Sequence, residues 1–465
     1  MEFDGIFSYV FFIIYLTLFF LVYLYVKRLL SNYGFFNALS VFILTFCMFY
    51  FFVPFFQTYF KLYRDDTSLF VKILNQLNDG EVFLNFLISA LCLIIIIFSY
   101  NLNFKLKKGK FYNKSDFNQN IIGKDILYKK VNIITDFIFI FSMASIVLLI
   151  AEVGSLKTYL SLGAFTRGLN KSLTDYIKSG YLQFITFSTL ILVTPYLYLY
   201  LYRLKKSRFV LIKFVLSLLF SILFLFYNQG RAPLILFFLP FLFTINKRGK
   251  KGFLGLVILF LIGLSLLKYL DGVFHYLAYG YYITGDNTNL VTEFLREFSY
   301  PFANFSIRNE LVNYSGHRFM YDYIIWPLTM IPNSLLKLIN FNKESIISVS
   351  TLNTEAYGVF LGVNPTGGIP VDILTFNFYQ LGYITLIPMC LIIGRVLKKL
   401  DLIFYFFKND FAIKVILYRI SFSMINILNN ADISAIIRNR LDVVTLIIII
   451  IYIYIKRKNS LKEEI

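Results

Sequence analysis

Long apolar runs alternate with short polar gaps along nearly the whole chain. IFSYVFFIIYLTLFFLVYLYV gives way to KRLLSNYG, which gives way to FFNALSVFILTFCMFYFFVPFF. Uncharged runs of about 20 residues match the length at which an α-helix crosses the hydrocarbon core of a bilayer. The pattern predicts an all-α, polytopic membrane protein with about eleven spans, at 6–26, 35–56, 82–104, 131–151, 180–202, 209–228, 231–246, 252–270, 372–394, 411–428 and 441–455. The first run is too long for a signal-peptide core and has no basic segment before it, so it is expected to be a retained helix. No internal repeat, linker or separate soluble domain interrupts the pattern, and residues 1–465 are expected to form one membrane domain.

Composition supports this and removes other classes. The 465 residues are 58% hydrophobic, 20% aromatic and only 15% charged, with a mean hydropathy of +0.69. Too few polar residues remain to cover a soluble domain of that size. The net charge of +19 would suggest nucleic acid if it were clustered on a domain. Instead the lysine-rich gaps, among them YVKRLL, YRLKKSR, NKRGKK and IKRKN, all fall on one face of the predicted bundle. That is the positive-inside rule, which sets orientation rather than a nucleic-acid partner. It predicts a multi-pass membrane protein with its N-terminus outside and its C-terminus inside. Cys47, Cys92 and Cys390 lie within apolar runs and are expected to be packing residues.

Polar chemistry concentrates on the outer side, in gaps 57–81, 152–179 and 271–371. The last, roughly 100 residues, is long enough to carry its own structure. NLVTEFLREFSYPFANFSIRNELV reads as helical segments broken near Pro301, with Glu293, Arg296 and Glu297 on one face. YDYIIWPLTMIPNSLLKLI, interrupted by Pro327 and Pro332, is expected to lie against the bilayer as an interfacial or re-entrant piece.

Arg231 stands out, because YNQGRAPLILF places it between two apolar runs. Gly230 and Pro233 suit a turn opening a helix, whose free amides would join the guanidinium in holding phosphate oxygens. The competing reading is an arginine that snorkels to headgroups. Arg167, Arg308, Arg318, Arg438 and Arg440 are the other outer arginines; several converging on one cavity would suit a pyrophosphate-bearing ligand. Arg419, in YRISFSMINILNN, is expected to snorkel towards the inner surface. Candidate bases are few: Glu355 in NTEAYG, then Glu297, and the only two histidines, His275 and His317. No spacing of His, Cys and carboxylates fixes a metal, and no cofactor is expected. The pair Asp65–Asp66 is the one feature that a metal-dependent transferase reading could use.

Three stretches resemble the bacterial O-antigen and capsule polymerases, the Wzy-type oligosaccharide repeat-unit polymerases. They are GSLKTYLSLGAFTR, the NQGR turn, and NTEAYGVFLGVNPTGGIPVDILTFNFYQLGYI, with its Gly-Gly-Ile-Pro turn entering a span. The resemblance implies a GT-C-like fold and a metal-independent glycosyltransferase, inverting, with no cofactor. Its substrate would be an undecaprenyl-pyrophosphate-linked oligosaccharide, polymerised on the outer face of the membrane into O-antigen or capsule. A chain-length regulator would be a candidate partner. Arg231 and Arg167 would stabilise the departing pyrophosphate, and Glu355 or His317 would take the proton of the acceptor hydroxyl. Outside the resemblance, Arg308, Arg318, Arg438, Arg440 and Glu297 are candidate substrate contacts by their place in the outer gaps alone. A flippase for the same lipid-linked unit, a glycan ligase, and a metal-dependent transferase using a polyprenyl-linked sugar are the alternatives.

Overall fold

A computed structural model describes residues 5–33, 37–60, 69–102, 121–168, 177–228, 231–245, 290–331, 346–362 and 368–460, with a few isolated positions besides. All regular structure among the described residues is helical, without strands. Among the described residues seven helices are long and apolar enough to cross a membrane: Tyr9–Leu30, Ala38–Tyr59, Asp79–Asn101, Asp125–Val153, Leu182–Leu204, Arg208–Asn228 and Phe411–Asn429. Of the other expected spans, 252–270 lies outside the described residues. The run 231–246 is the 15-residue helix Arg231–Ile245, and 441–455 falls within Leu441–Ser460. Expected span 372–394 is divided at Gly382 into Ile373–Leu381 and Tyr383–Phe406.

The described chain forms two compact units, one from 1–102, 286–402 and 421–436, the other from 103–285, 403–420 and 437–465.

In the first unit, several helix starts are secured by polar groups inside an apolar bundle. Asn37 caps Ala38–Cys47 through a reciprocal pair with Ser40, and Asn78 does the same for Asp79–Asn101 with Glu81. The buried carboxylate of Asp401 adds a second anchor to the first of these ends. It accepts from Ala38 N–H at 2.6 Å, from Asn37 Nδ2 at 2.8 Å and from the Tyr100 hydroxyl at 2.8 Å. The second span is not uniform. Met48–Phe52 is π-helical, and Pro54 follows without the N–H that the Tyr50 carbonyl would have used.

Helices Asp79–Asn101 and Tyr383–Phe406 touch backbone to backbone at Gly394. A Cβ there would stand 2.4 Å from the Ile96 carbonyl oxygen and 2.8 Å from Ser99 Cβ. Ser99 donates its hydroxyl to the Leu391 carbonyl at 2.6 Å across the same crossing. Small residues allowing close backbone approach are how membrane helices gain packing without a hydrophobic driving force. Gly394→Ala is therefore expected to cost about 1–3 kcal/mol, the range for overpacking. A thermal melt in detergent checks this, and an unchanged midpoint would show that the helices do not meet there.

The segment expected to form the long outer loop contributes helices Leu290–Ser306, Arg308–Ser315, Tyr321–Met330 and Val349–Leu361 to this unit. The expected break near Pro301 does not occur. Leu290–Ser306 runs through Pro301 and the chain turns instead at Ile307, where ψ is 22°. Tertiary packing overrides the local cost of the proline, since Phe302, Ala303, Asn304 and Phe305 are all buried.

In the second unit the expectation for Arg419 is also corrected. The side chain does not snorkel: it is 1% exposed and donates to Asp442 at 2.6 Å. A lysine-like escape to water is unnecessary when an acid lies within reach in the same bundle. Tyr196, packed on Phe237, donates its hydroxyl to the Phe237 carbonyl at 2.5 Å.

Candidate functional site

The expected site residues Arg308, His317 and Arg318 come together at the C-terminal end of helix Ile373–Leu381. Helix Arg308–Ser315 stops at Gly316, whose φ of 74° suits glycine. The next residues bond to the last carbonyls of the neighbouring helix, Arg318 N–H to Tyr379 at 2.8 Å and Phe319 N–H to Gln380 at 2.9 Å. Carbonyls that a helix leaves unpaired are thereby satisfied. The turn continues through Phe319 and Met320, both left-handed at φ 47° and 64°. Two non-glycine residues in that region cost on the order of 1 kcal/mol each, so the surrounding bonds must hold the turn in place.

Arg318 supplies much of that hold. Its Nε and Nη2 donate to the two oxygens of Asp322 at 2.9 and 2.7 Å, and Nη2 also reaches the Ile347 carbonyl at 2.8 Å. Gln380 donates to the same carboxylate at 2.9 Å. Burial works against this guanidinium's charge, but the hydrogen bonds and charge of Asp322 outweigh it and raise its pKa above the ordinary value. An arginine so engaged fixes the turn that carries His317.

Arg308 is held differently. It is 3% exposed, and no carboxylate among the described residues pairs with it. Nη1 donates to Asn85 Oδ1 at 2.6 Å and to the Phe305 carbonyl at 2.8 Å; Nη2 donates to the Tyr383 hydroxyl at 2.7 Å. Nε is buried with no hydrogen-bond partner. The rings of Phe305, Phe378 and Tyr383 surround the guanidinium at 4.5, 5.4 and 5.5 Å. These are neutral groups, and the nearby end of helix Leu290–Ser306 supplies at most about half a negative charge.

His317 is exposed and packs against Phe378, the ring that also borders Arg308. Gly382 makes room for it: a Cβ at that position would lie 3.6 Å from His317 Cε1, and the local φ is 63°. Glycine both allows the turn and lets the imidazole sit against the backbone before helix Tyr383–Phe406 begins.

Beneath this surface lies a buried polar network that the sequence reading missed. Asp372, at the end of the Gly-Gly-Ile-Pro segment, caps Ile373–Leu381 by accepting from the N–H groups of Leu374 and Thr375. It also accepts from the Tyr50 hydroxyl at 2.5 Å and Asn304 Nδ2 at 2.7 Å. Asn353 donates to Asn304 Oδ1 and to the Pro370 carbonyl, accepts from Tyr379, and Tyr300 also donates to Pro370. Burial first, then the charge of Asp372, hold the Tyr300 and Tyr357 phenols well above their ordinary pKa, so both remain protonated. The signal for these residues was available in principle: Asn85, Asn304 and Asp372 are polar positions flanked by apolar ones.

The other expected site residues are distributed as follows. Glu355 is exposed on Val349–Leu361, two residues from buried Asn353. Glu297 lies in Leu290–Ser306, Arg167 in Leu156–Gly168, and Arg231 opens Arg231–Ile245. The side chains of these three lie outside the described residues, as do His275, Asp65 and Asp66. Arg438 is exposed and Arg440 half-buried near the start of Leu441–Ser460. Arg167, Arg231, Arg438 and Arg440 belong to the second compact unit, and Arg308, Arg318, His317, Glu297 and Glu355 to the first. Among the described residues no cluster of three or more His, Cys, Asp or Glu could hold a metal ion.

No family model, no curated protein and no solved structure matches this chain.

Proposed function

We propose that this membrane protein polymerises undecaprenyl-pyrophosphate-linked oligosaccharide repeat units into a surface polysaccharide on the outer face of a bacterial cytoplasmic membrane. The observation that carries the reading is Arg308, a buried guanidinium with an unpaired Nε and, among the described residues, no acid beside it, next to an exposed histidine on a braced turn. An uncompensated buried charge costs several kcal/mol, and an anionic ligand would offset that cost. A phosphate oxygen suits both the charge and the donor geometry of a guanidinium.

In this reading the acceptor sugar hydroxyl attacks the anomeric carbon of the growing chain. The bond from that carbon to the pyrophosphate oxygen breaks, and the lipid pyrophosphate leaves with the electron pair. His317 or Glu355 takes the hydroxyl proton, and the configuration at the anomeric carbon inverts. Arg308 stabilises the charge gathering on the departing group, which is where electrostatic assistance helps most. The same features suit a glycan ligase, which differs only in its acceptor. A flippase for the same lipid-linked unit would be expected to show internal repeat symmetry, and the sequence carries no visible repeat.

Deleting the gene and resolving the surface glycan by gel tests the proposal. The expected result is single repeat units without a ladder, restored by the wild-type gene. Arg308→Gln should reduce polymer by about 100-fold or more, the scale for losing one charge-stabilising donor. Long polymer left on its carrier would point to a ligase, and lipid-linked units trapped on the inner face to a flippase.

A further inference from the structure

Arg308 is closed on nearly every side. Asn85, Phe305 and Phe378, which contact it, are all buried, and none could move without repacking the bundle. Tyr383 is the exception. It is 49% exposed, yet its hydroxyl occupies Nη2 of Arg308 at 2.7 Å and its ring packs on Phe378 at 5.0 Å. It is also the first residue after the left-handed Gly382, so its ring stands at the head of helix Tyr383–Phe406 rather than within it.

We infer that Arg308 forms a phosphate-oxygen subsite entered past Tyr383, whose phenol occupies the place of a ligand oxygen until the ligand displaces it. The inference deepens the polymerase reading and rests on it for the identity of the natural ligand, but not for the existence of the site. Two observations support it independently: the unpaired, buried Nε, which lacks an acceptor, and Tyr383, the one exposed group among the described side chains that contact the cation. A phenol is a neutral, weak acceptor. A phosphate oxygen brings a full charge to the same guanidinium and forms a stronger bond. Rotating an exposed side chain about χ1 costs little, whereas moving any of the buried neighbours would open a cavity.

The test measures equilibrium binding of radiolabelled inorganic pyrophosphate to the full-length protein in neutral detergent. Tyr383→Phe removes the competing hydroxyl and keeps the ring; Tyr383→Ala removes both. Each is expected to tighten binding, by roughly 3- to 10-fold, the worth of one net hydrogen bond. Arg308→Gln is expected to abolish binding in the wild-type and Tyr383→Ala backgrounds alike. Unchanged or weaker binding in both Tyr383 variants overturns the entry route, and binding that survives Arg308→Gln overturns the site. Folding of each variant is checked by its thermal midpoint, with two different Tyr383 replacements so that one misfolded protein does not decide the result. Displacement of pyrophosphate by a polyprenyl pyrophosphate assigns the subsite to a carrier lipid. Displacement by phosphatidylglycerol assigns it to membrane headgroups. If the subsite binds as described while the deletion strain still makes its ladder, the polymerase reading fails and the subsite stands.

Discussion

Arg419→Ala is expected to destabilise the protein by about 3–5 kcal/mol, the cost of leaving one member of a buried ion pair without its partner. Arg419 and Asp442 are each 1% exposed, and their charged atoms are 2.6 Å apart. Removing the guanidinium strands a carboxylate that has no route to water. Its position in the first turn of Leu441–Ser460 offsets only part of that cost. The change should appear as a large fall in the yield of folded protein and in its thermal midpoint. Converting the pair to apolar residues, Arg419→Met with Asp442→Leu, should recover most of the loss, because the desolvation penalty then disappears with the attraction. A snorkelling arginine predicts something different: a small effect from Arg419→Ala and none from the second substitution. That outcome would sink the buried pair.

Asp372→Ala should be comparably damaging, about 3–5 kcal/mol, through a lost helix cap and donors left unpaired in the interior. Four donors converge on this carboxylate, from Tyr50, Asn304, Leu374 and Thr375. They tie the π-helical turn of the second span and helix Leu290–Ser306 to the start of Ile373–Leu381. Asp372→Asn retains an acceptor oxygen and is expected to cost only about 1–2 kcal/mol. Thermal unfolding of the two variants, followed by size-exclusion chromatography, separates the cases. Equal stabilities for alanine and asparagine would mean that the oxygen atoms do not hold the network together.

What could be read in advance depended on how local each cause was. Helices at 6–26, 82–104, 131–151 and 209–228 were legible because about twenty predominantly apolar residues in a row suffice to specify a spanning helix. Pro301 and Gly382 show the limit. Proline implied a break at 301, but buried neighbours carry the helix through it, and the interruption falls at a glycine inside an expected span. At the candidate site, composition singled out the arginines and histidines but could not rank them. Arg308 and Arg318 looked alike along the chain. In the fold, one is braced by Asp322 four residues on, while the other is buried without an acid. Asn85 and Tyr383, which decide that difference, lie far from Arg308 in sequence and near it only after folding.

Hydrophobic periodicity by itself determined that this is a helical membrane chain, where most of its apolar helices run, and which gaps carry the polar chemistry, since each follows from the solvation of a single segment. Tertiary structure alone decided which charges are neutralised and which stay unpaired, because pairing depends on contacts between residues hundreds of positions apart: Asn85 with Arg308, Tyr50 with Asp372, Asn37 with Asp401.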